Sequence, residues 1–368
     1  MKNNLDCLEL LRKENFQRTI EGKEVELYTL RNNNGCVAQF TNYGGRWLSM
    51  WVPDENGQMA DVVLGFDNLD SYLKATEKYY GAIVGRVCGR IDKGTFSLNG
   101  ITYQLANNDL FGKPVKNHLH GGFNGFSFQV WNGKTLLNDK GEEKLELTFF
   151  SKDGEEGYPG NLQIKVSYTL SNDNSIKIDY SALTDKATLI NFTNHAYFNL
   201  HGDMERNVLD HFLYIQSDCT VESNEELIPT GNIIYVKGTP LDFTYPQKIG
   251  LRINEEFPGQ LFPGKGYVVA YVLNETNLSL RFAARVEERE SGRIMEVYTN
   301  QPNLQFYNAW LFDGTDVGKN RQRYYSSSGF ALEAQGYPDA PNHSNFPSIV
   351  LHPGEEYEQT TIYRFLVE

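Results

Sequence analysis

The sequence is poor in the features that mark the commonest chemistries. Four cysteines, Cys7, Cys36, Cys88 and Cys219, lie far apart with no CxxC pair, so neither a zinc site nor a disulfide framework is indicated and a reducing cytoplasm is the expected setting. No stretch of about 18 apolar residues is present to cross a bilayer, and the start "MKNNLDCLELLRKENF" lacks the apolar run of a secretory signal. Basic residues are outnumbered, 34 Lys+Arg against 47 Asp+Glu for a net charge of −13, and nowhere form a block. That balance argues against nucleic acid and anionic membranes as partners. There is no GxGxxG after a strand, no phosphate loop and no GxSxG, which removes the usual support for dinucleotide redox chemistry, nucleotide hydrolysis and serine hydrolysis. EF-hand spacing is absent too. No internal repeat, low-complexity tract or polar linker divides the chain, so residues 1–368 are expected to form a single domain.

What the chain does have is alternation. In "LQIKVSYTL" Leu162, Ile164, Val166, Tyr168 and Leu170 fall on one side and Gln163, Lys165, Ser167 and Thr169 on the other, the pattern of a strand buried on one face. After the turn "SNDNS", "IKIDYSA" resumes the period, which predicts a hairpin. "KLELTFF" predicts a third strand, and "LSLRFAARVEE" another with Leu278, Leu280, Phe282, Ala284 and Val286 on one side. Aromatic residues at 13% and 33 glycines between short runs suit an all-β sandwich or barrel of many antiparallel strands. Helix is expected only in "LDCLELLRK" and over 68–80.

Three polar clusters stand out against this background. "NHLHGG" holds His118 and His120, which on a strand would share a face; they read either as metal ligands or as histidines satisfied by the backbone at a Gly-rich turn. In "INFTNHAYFNLHG", His195 is either a core histidine hydrogen-bonded to Asn191 and Asn194 or a group that titrates in use. In "GFALEAQGYPDAPNHSNFPS", Glu333 follows Phe330, Ala331 and Leu332. A carboxylate in such a run is costly to ionise unless paired, so it is either half of a buried ion pair or a functional acid with a raised pKa.

These stretches, with "TNYGGRWLSMWVPDENG", "DVVLGFDNLDSY", "YYGAIVGRVCGRIDKGTFSLNG", "LIPTGNI", "GTPLDFT" and "SGRIMEVYTNQPNLQFY", resemble the aldose 1-epimerase (galactose mutarotase) family, in its order and over nearly the whole chain. The resemblance implies a large antiparallel β-sandwich, the galactose mutarotase-like supersandwich, with few short helices and an open cleft for a monosaccharide: galactose, glucose or another aldose. It implies Glu333 as general base on the C1 hydroxyl and His195 as general acid to the ring oxygen, on opposite sides of the anomeric centre, with Asn194 fixing the imidazole tautomer. His120 is implied as a second histidine that holds sugar oxygens and shares the proton work. Arg90, Gln305 and Tyr197 are implied sugar contacts, although Arg90 could instead pair with a carboxylate. Interconverting anomers moves no electrons, so no redox cofactor is required; calcium, used by some relatives, is an open possibility. A monomer or weak dimer is expected.

Two positions depart from the family. Gly89 replaces an asparagine beside Arg90, and Val268, Val269 and Ala270 stand where the usual form has Asp, His and Asn. Valine can accept no hydrogen bond, so a sugar hydroxyl facing Val268 would lose a charge-assisted bond of roughly 1.5–3 kcal/mol. The chain is therefore expected to be either a mutarotase of altered sugar preference or a weakly active or non-catalytic carbohydrate-binding protein on the same fold.

Overall fold

The computed structural model describes residues 8–111, 116–262, 264–275 and 279–368. Its largest element is a nine-stranded antiparallel sheet that follows from the alternation. The order across it is Asn132–Leu137, Glu143–Ser151, Leu162–Leu170, Ser175–Thr184, Glu356–Val367, Arg293–Thr299, Arg281–Glu288, Phe212–Ile215 and Gln247–Lys248. The expected hairpin is present, with Leu162 opposite Thr184 and Leu170 opposite Ile176. Its turn is closed by the Ser171 amide donating to the Ser175 carbonyl, with Asn174 at φ 63°, a left-handed conformation that asparagine tolerates. Leu162, Ile164, Val166, Tyr168 and Leu170 are all buried. A one-residue slip would bring all five to the opposite face, at about 1.5–3 kcal/mol for each fully exposed side chain, which fixes the register.

Two smaller antiparallel sheets cover the inner face. One has four strands, Leu27–Arg31, Val37–Thr41, Arg46–Pro53 and Met59–Asp61. The other runs Pro229–Tyr235, Cys219–Ser223, Gly266–Val272, Asn303–Tyr307 and Ala331–Gln335, with Leu261–Phe262 beside the third. Aromatic side chains join the layers. Trp47 meets Tyr363 and Phe365 edge-on at 5.7 and 6.3 Å, and the Tyr363 hydroxyl donates to the Leu332 carbonyl at 2.8 Å. The architecture is the expected all-β sandwich.

Three expectations need correction. The strand Arg281–Glu288 carries a bulge between Phe282 and Ala284, and the extra residue shifts the alternation. Ala284 and Val286 are buried, while Leu280 is 47% exposed and Phe282 packs outside on Tyr214 and Tyr298; Leu278 lies outside the described residues. Helix over 68–80 shrinks to Leu69–Lys74, capped by the Asn68 side chain. The amides of Thr76 and Glu77, which could have continued it, instead donate to the Asp316 carboxylate. The helix expected in "LDCLELLRK" falls partly outside the described residues. Its remainder holds no α-helix, because the Gln39 amide both accepts from the Leu11 N–H and donates to its carbonyl, pinning that segment as a side chain pins a strand. Among the described residues, Cys36, Cys88 and Cys219 are free thiols, and no helix is long and apolar enough to cross a membrane.

Candidate active site

Alternation within the smaller sheet builds one wall of a cavity. Along Ala331–Gln335, Leu332 and Ala334 enter the apolar core, so Glu333 and Gln335 point the other way. Leu304 and Phe306 on Asn303–Tyr307 do the same, leaving Gln305 and Tyr307 on the cavity side. Tyr267, Val269 and Tyr271 are core residues, leaving Val268 and Ala270. Register aligns Glu333, Gln305 and Ala270 in one row, and Ala331, Tyr307 and Val268 in the next.

The facing wall comes from short pairings. Thr193–Asn194 pairs with Ile83–Val84, and His195 follows directly, its amide donating to the Ala82 carbonyl and its carbonyl accepting from the Gly81 amide. Arg90–Ile91 pairs with His118–Leu119, and His120 comes next, at φ 51°. Gly121 then passes so close to the main chain that an added Cβ would lie 1.9 Å from the Gly85 carbonyl oxygen, so only glycine fits there.

The two walls enclose a cavity of about 140 Å³ lined by His195, Glu333, His120, Arg90, Gln305, Tyr197 and Val268 among others. That volume holds roughly ten waters, which suits one pyranose ring. All seven expected site residues thus share one space. His195 Nε2 lies 3.6 Å from Glu333 Oε1, and the two residues are 5% and 3% exposed. They are neighbours rather than groups facing each other across a sugar. The two oxygens that the resemblance implies for them, the C1 hydroxyl and the ring oxygen, are bonded to the same carbon, so neighbouring groups could serve both.

Burial decides the protonation of both groups. It pushes the Glu333 carboxyl up to about 8, with the nearby Glu77 adding to the rise, and pushes the His195 imidazole down to about 4. Near neutral pH the favoured form is uncharged, a carboxylic acid beside a neutral imidazole. The other carboxyl oxygen of Glu333, Oε2, is buried without a hydrogen-bond partner, a defect in a finished core but the expected state of a group awaiting a ligand.

His120 is held by an acceptor role: its Nδ1 takes the Gly89 N–H at 3.1 Å, so the neutral ring carries its proton on Nε2. Burial lowers its pKa well below the usual histidine value. The Tyr79 ring packs against both histidines, 4.6 Å from His120 and stacked 5.9 Å from His195. Arg90 pairs with buried Asp109 through Nε at 2.7 Å and still lines the cavity, so the pairing and the cavity position coexist. Gln305 lines it opposite Glu333.

Other sequence expectations resolve differently. Asn194 does not touch the His195 ring; its amide donates to the Gly81 carbonyl and the Tyr168 hydroxyl, and its oxygen accepts from Ala196. Asn191 clamps Gly336. His118 is a satisfied structural histidine, bonded at Nδ1 to the Ala106 carbonyl and at Nε2 to the Tyr158 hydroxyl; both its nitrogens are used, so it is no metal partner for His120. Val269 faces the core, so of the three departing positions on that strand only Val268 and Ala270 meet the cavity.

Among the described residues, one group of three side chains could gather around a metal ion: His201, Asp210 and His211. Two imidazoles and one carboxylate do not suit calcium, which takes oxygen ligands. His211 Nε2 accepts the Leu200 N–H, which puts the proton of the neutral ring on Nδ1, facing Asp210 Oδ1 at 3.3 Å, and so closes that nitrogen to a metal. Sequence reasoning missed several cavity residues, among them Glu77, Tyr79, Tyr307 and Gln335. Glu77 falls in the stretch expected to be helix, 68–80; the signal available was the lack of helical apolar periodicity after Lys74.

The molecule is thus an all-β sandwich with an imidazole and a carboxyl side by side in one open cavity. The profile of the aldose 1-epimerase family matches residues 26–364. The chain is 42% identical over 343 residues to galactose mutarotase of Bos taurus, covering 93% of this chain and 94% of that one. It is 34% identical over 352 residues to aldose 1-epimerase of Escherichia coli, covering 95% and 97%. A crystal structure of an aldose epimerase homologue from C. elegans superposes with a TM-score of 0.82 at 29% identity, covering 93% of this chain and 99% of that one. The chain belongs to the aldose 1-epimerase family, whose members are isomerases.

Proposed function

We propose that the protein interconverts the α and β anomers of a monosaccharide by acid–base ring opening, with Glu333 and His195 as the proton-transfer pair. The observation that carries this reading is their placement, 3.6 Å apart in a cavity of pyranose size. In the opening direction Glu333 as carboxylate takes the proton from the C1 hydroxyl. The C1=O bond forms, the bond from C1 to the ring oxygen breaks, and protonated His195 delivers its proton to that oxygen. Rotation about C1–C2 exposes the other carbonyl face. Closure runs the transfers backwards, with neutral His195 taking the proton from the hydroxyl and protonated Glu333 giving one to the aldehyde oxygen.

The surroundings favour the difficult half. Opening converts a carboxylate and an imidazolium into two neutral groups, and burial stabilises the neutral forms of both. Sugar hydroxyls bonded to Glu333 on binding stabilise its ionised form beforehand. His120, a donor at Nε2, suits a sugar oxygen near C1, and Tyr197, Gln305 and Arg90 suit the remaining contacts. No electrons are transferred, so the route calls for no redox cofactor. Free thiols at Cys36, Cys88 and Cys219 fit a reducing compartment such as the cytoplasm.

The test is polarimetry of freshly dissolved aldoses, hexoses, pentoses and deoxy sugars. Acceleration over buffer is expected for at least one of them. Calorimetric binding of a sugar with no acceleration of any would replace this reading by that of a carbohydrate-binding protein, the alternative raised by Val268. The pH dependence is a second expected result. Activity needs one proton shared by the pair, so it should fall below about 4, where both groups are protonated and no base remains, and above about 8, where neither is and no acid remains. A rate that rises steadily through pH 8 to 10 would contradict the assignment. Third, Val268→Asp should improve catalytic efficiency on galactose or glucose about tenfold or more, by restoring a charge-assisted acceptor. An unchanged efficiency in a folded variant would remove Val268 from the sugar's surroundings.

A further inference from the structure

We propose that Glu77 is a specificity-determining residue, a second cavity carboxylate that accepts a sugar hydroxyl at the end of the pocket where Val268 offers no acceptor. The proposal rests on the mutarotase reading for its sugar ligand. Glu77, Val268, Tyr197 and Tyr307 all line the cavity, and Tyr307 is the direct strand partner of Val268. The Tyr307 and Tyr197 rings meet edge-on at 6.2 Å, so both belong to the part of the cavity wall beside Val268. Glu77 therefore faces the same cavity as Val268 and its strand partner Tyr307.

Its position is fixed by the main chain. The Asp316 carboxylate accepts from the Thr76 and Glu77 amides at 2.7 and 3.0 Å, and Glu77 Oε1 accepts from the Tyr79 amide at 2.8 Å. One oxygen, Oε1, anchors the turn, and it is Oε2 that the proposal assigns to the sugar hydroxyl. Few other acceptors of this strength remain in the cavity: Glu333 is engaged at C1, the Asp109 carboxylate is taken by Arg90, and Gln305, Gln335 and Ser223 are neutral. Burial raises the Glu77 carboxyl to about 7, and a hydroxyl donated to it favours the ionised form, whose hydrogen bonds are about twice as strong as neutral ones. An anchored carboxylate on one wall thus supplies what an aspartate on the Gly266–Val272 strand would have supplied. The carboxylate approaches from the Thr76–Tyr79 turn instead of that strand, so the hydroxyl pattern it selects is this chain's own.

The experiment is calorimetric titration of wild type and Glu77→Gln with galactose, glucose and derivatives of each lacking a single non-anomeric hydroxyl. Glutamine keeps an oxygen for the Tyr79 amide, so the turn survives. Glu77→Gln should bind the parent sugar about tenfold to a hundredfold more weakly, whereas one deoxy derivative, lacking the hydroxyl that Glu77 receives, should bind both proteins alike. Equal affinities for every sugar, or an equal weakening for all of them as a merely structural turn would give, overturn the assignment. A second measurement uses Val268→Asp in both backgrounds. Its gain in affinity should be larger with Glu77→Gln than with Glu77, since the two carboxylates serve one end of the pocket; equal gains overturn the proposal. A protein that shows the selective binding pattern but accelerates no sugar sinks the mutarotase reading and leaves Glu77 in its role.

Discussion

Glu333→Gln is expected to slow anomer interconversion by about 10²- to 10⁴-fold, the range a positioned general base contributes. Glutamine matches the shape of the side chain and keeps an oxygen in the cavity but cannot take the C1 proton, so the loss should fall on kcat and leave KM within a few fold. His195→Asn should cost a comparable factor by removing the donor to the ring oxygen. In the proposed mechanism the two side chains exchange protons with one substrate in one step, so the double variant should be little worse than either single one. Polarimetry under saturating sugar reads all three. A Glu333→Gln enzyme within tenfold of wild type would mean that another group is the base, with Glu77 the first alternative to test since it lines the same cavity.

Much of this was legible in the sequence because the physics that shapes it is local. Alternation in 162–170 foretold the strand and its apolar side, but the polar side is exposed only at Gln163 and Lys165, since Ser167 and Thr169 are buried too. Glu333 stood out because a carboxylate among Phe330, Ala331 and Leu332 conflicts with its neighbours. Its strand, Ala331–Gln335, is buried on both faces, one against apolar core and one against the cavity. His195 was legible by residue type and by family resemblance, but its surroundings were so only in part: Asn194 and Asn191, near it in sequence, bond elsewhere, and the ring packs on Tyr197, two residues on, together with the distant His120 and Tyr79. The failures share a cause. A bulge at Phe282 changes the phase of a strand, and Asp316 takes the amides that would have extended a helix past Lys74. Both depend on partners that only the fold brings near. Glu77 was missed for the same reason, since its place in the cavity depends on where that interrupted helix releases the chain.

The strained ionisation of Glu333 carries a stability consequence opposite in sign to its catalytic value. Its carboxyl is raised from 4.5 to about 8 by burial and by Glu77. A folded-state pKa above the unfolded one means the folded protein holds the proton more tightly. The associated stability is fully present below about 4.5 and is lost progressively as pH rises to about 8. A rise from 4.5 to about 8 corresponds to roughly 5 kcal/mol. Glutamine is uncharged at every pH and removes this dependence. Glu333→Gln is therefore expected to be the more stable protein at high pH, with a Tm advantage over wild type that widens between pH 4.5 and 8 to on the order of 5 °C. Thermal unfolding of both proteins across that range checks it. A constant Tm difference would show that Glu333 is ionised at little cost, either because water reaches it freely or because His195 beside it is charged. The first would remove the buried acid, and the second would leave the pair already in its charged form before any sugar binds. A catalytic group that weakens the fold where it works is the expected signature of an acid kept dry for proton transfer.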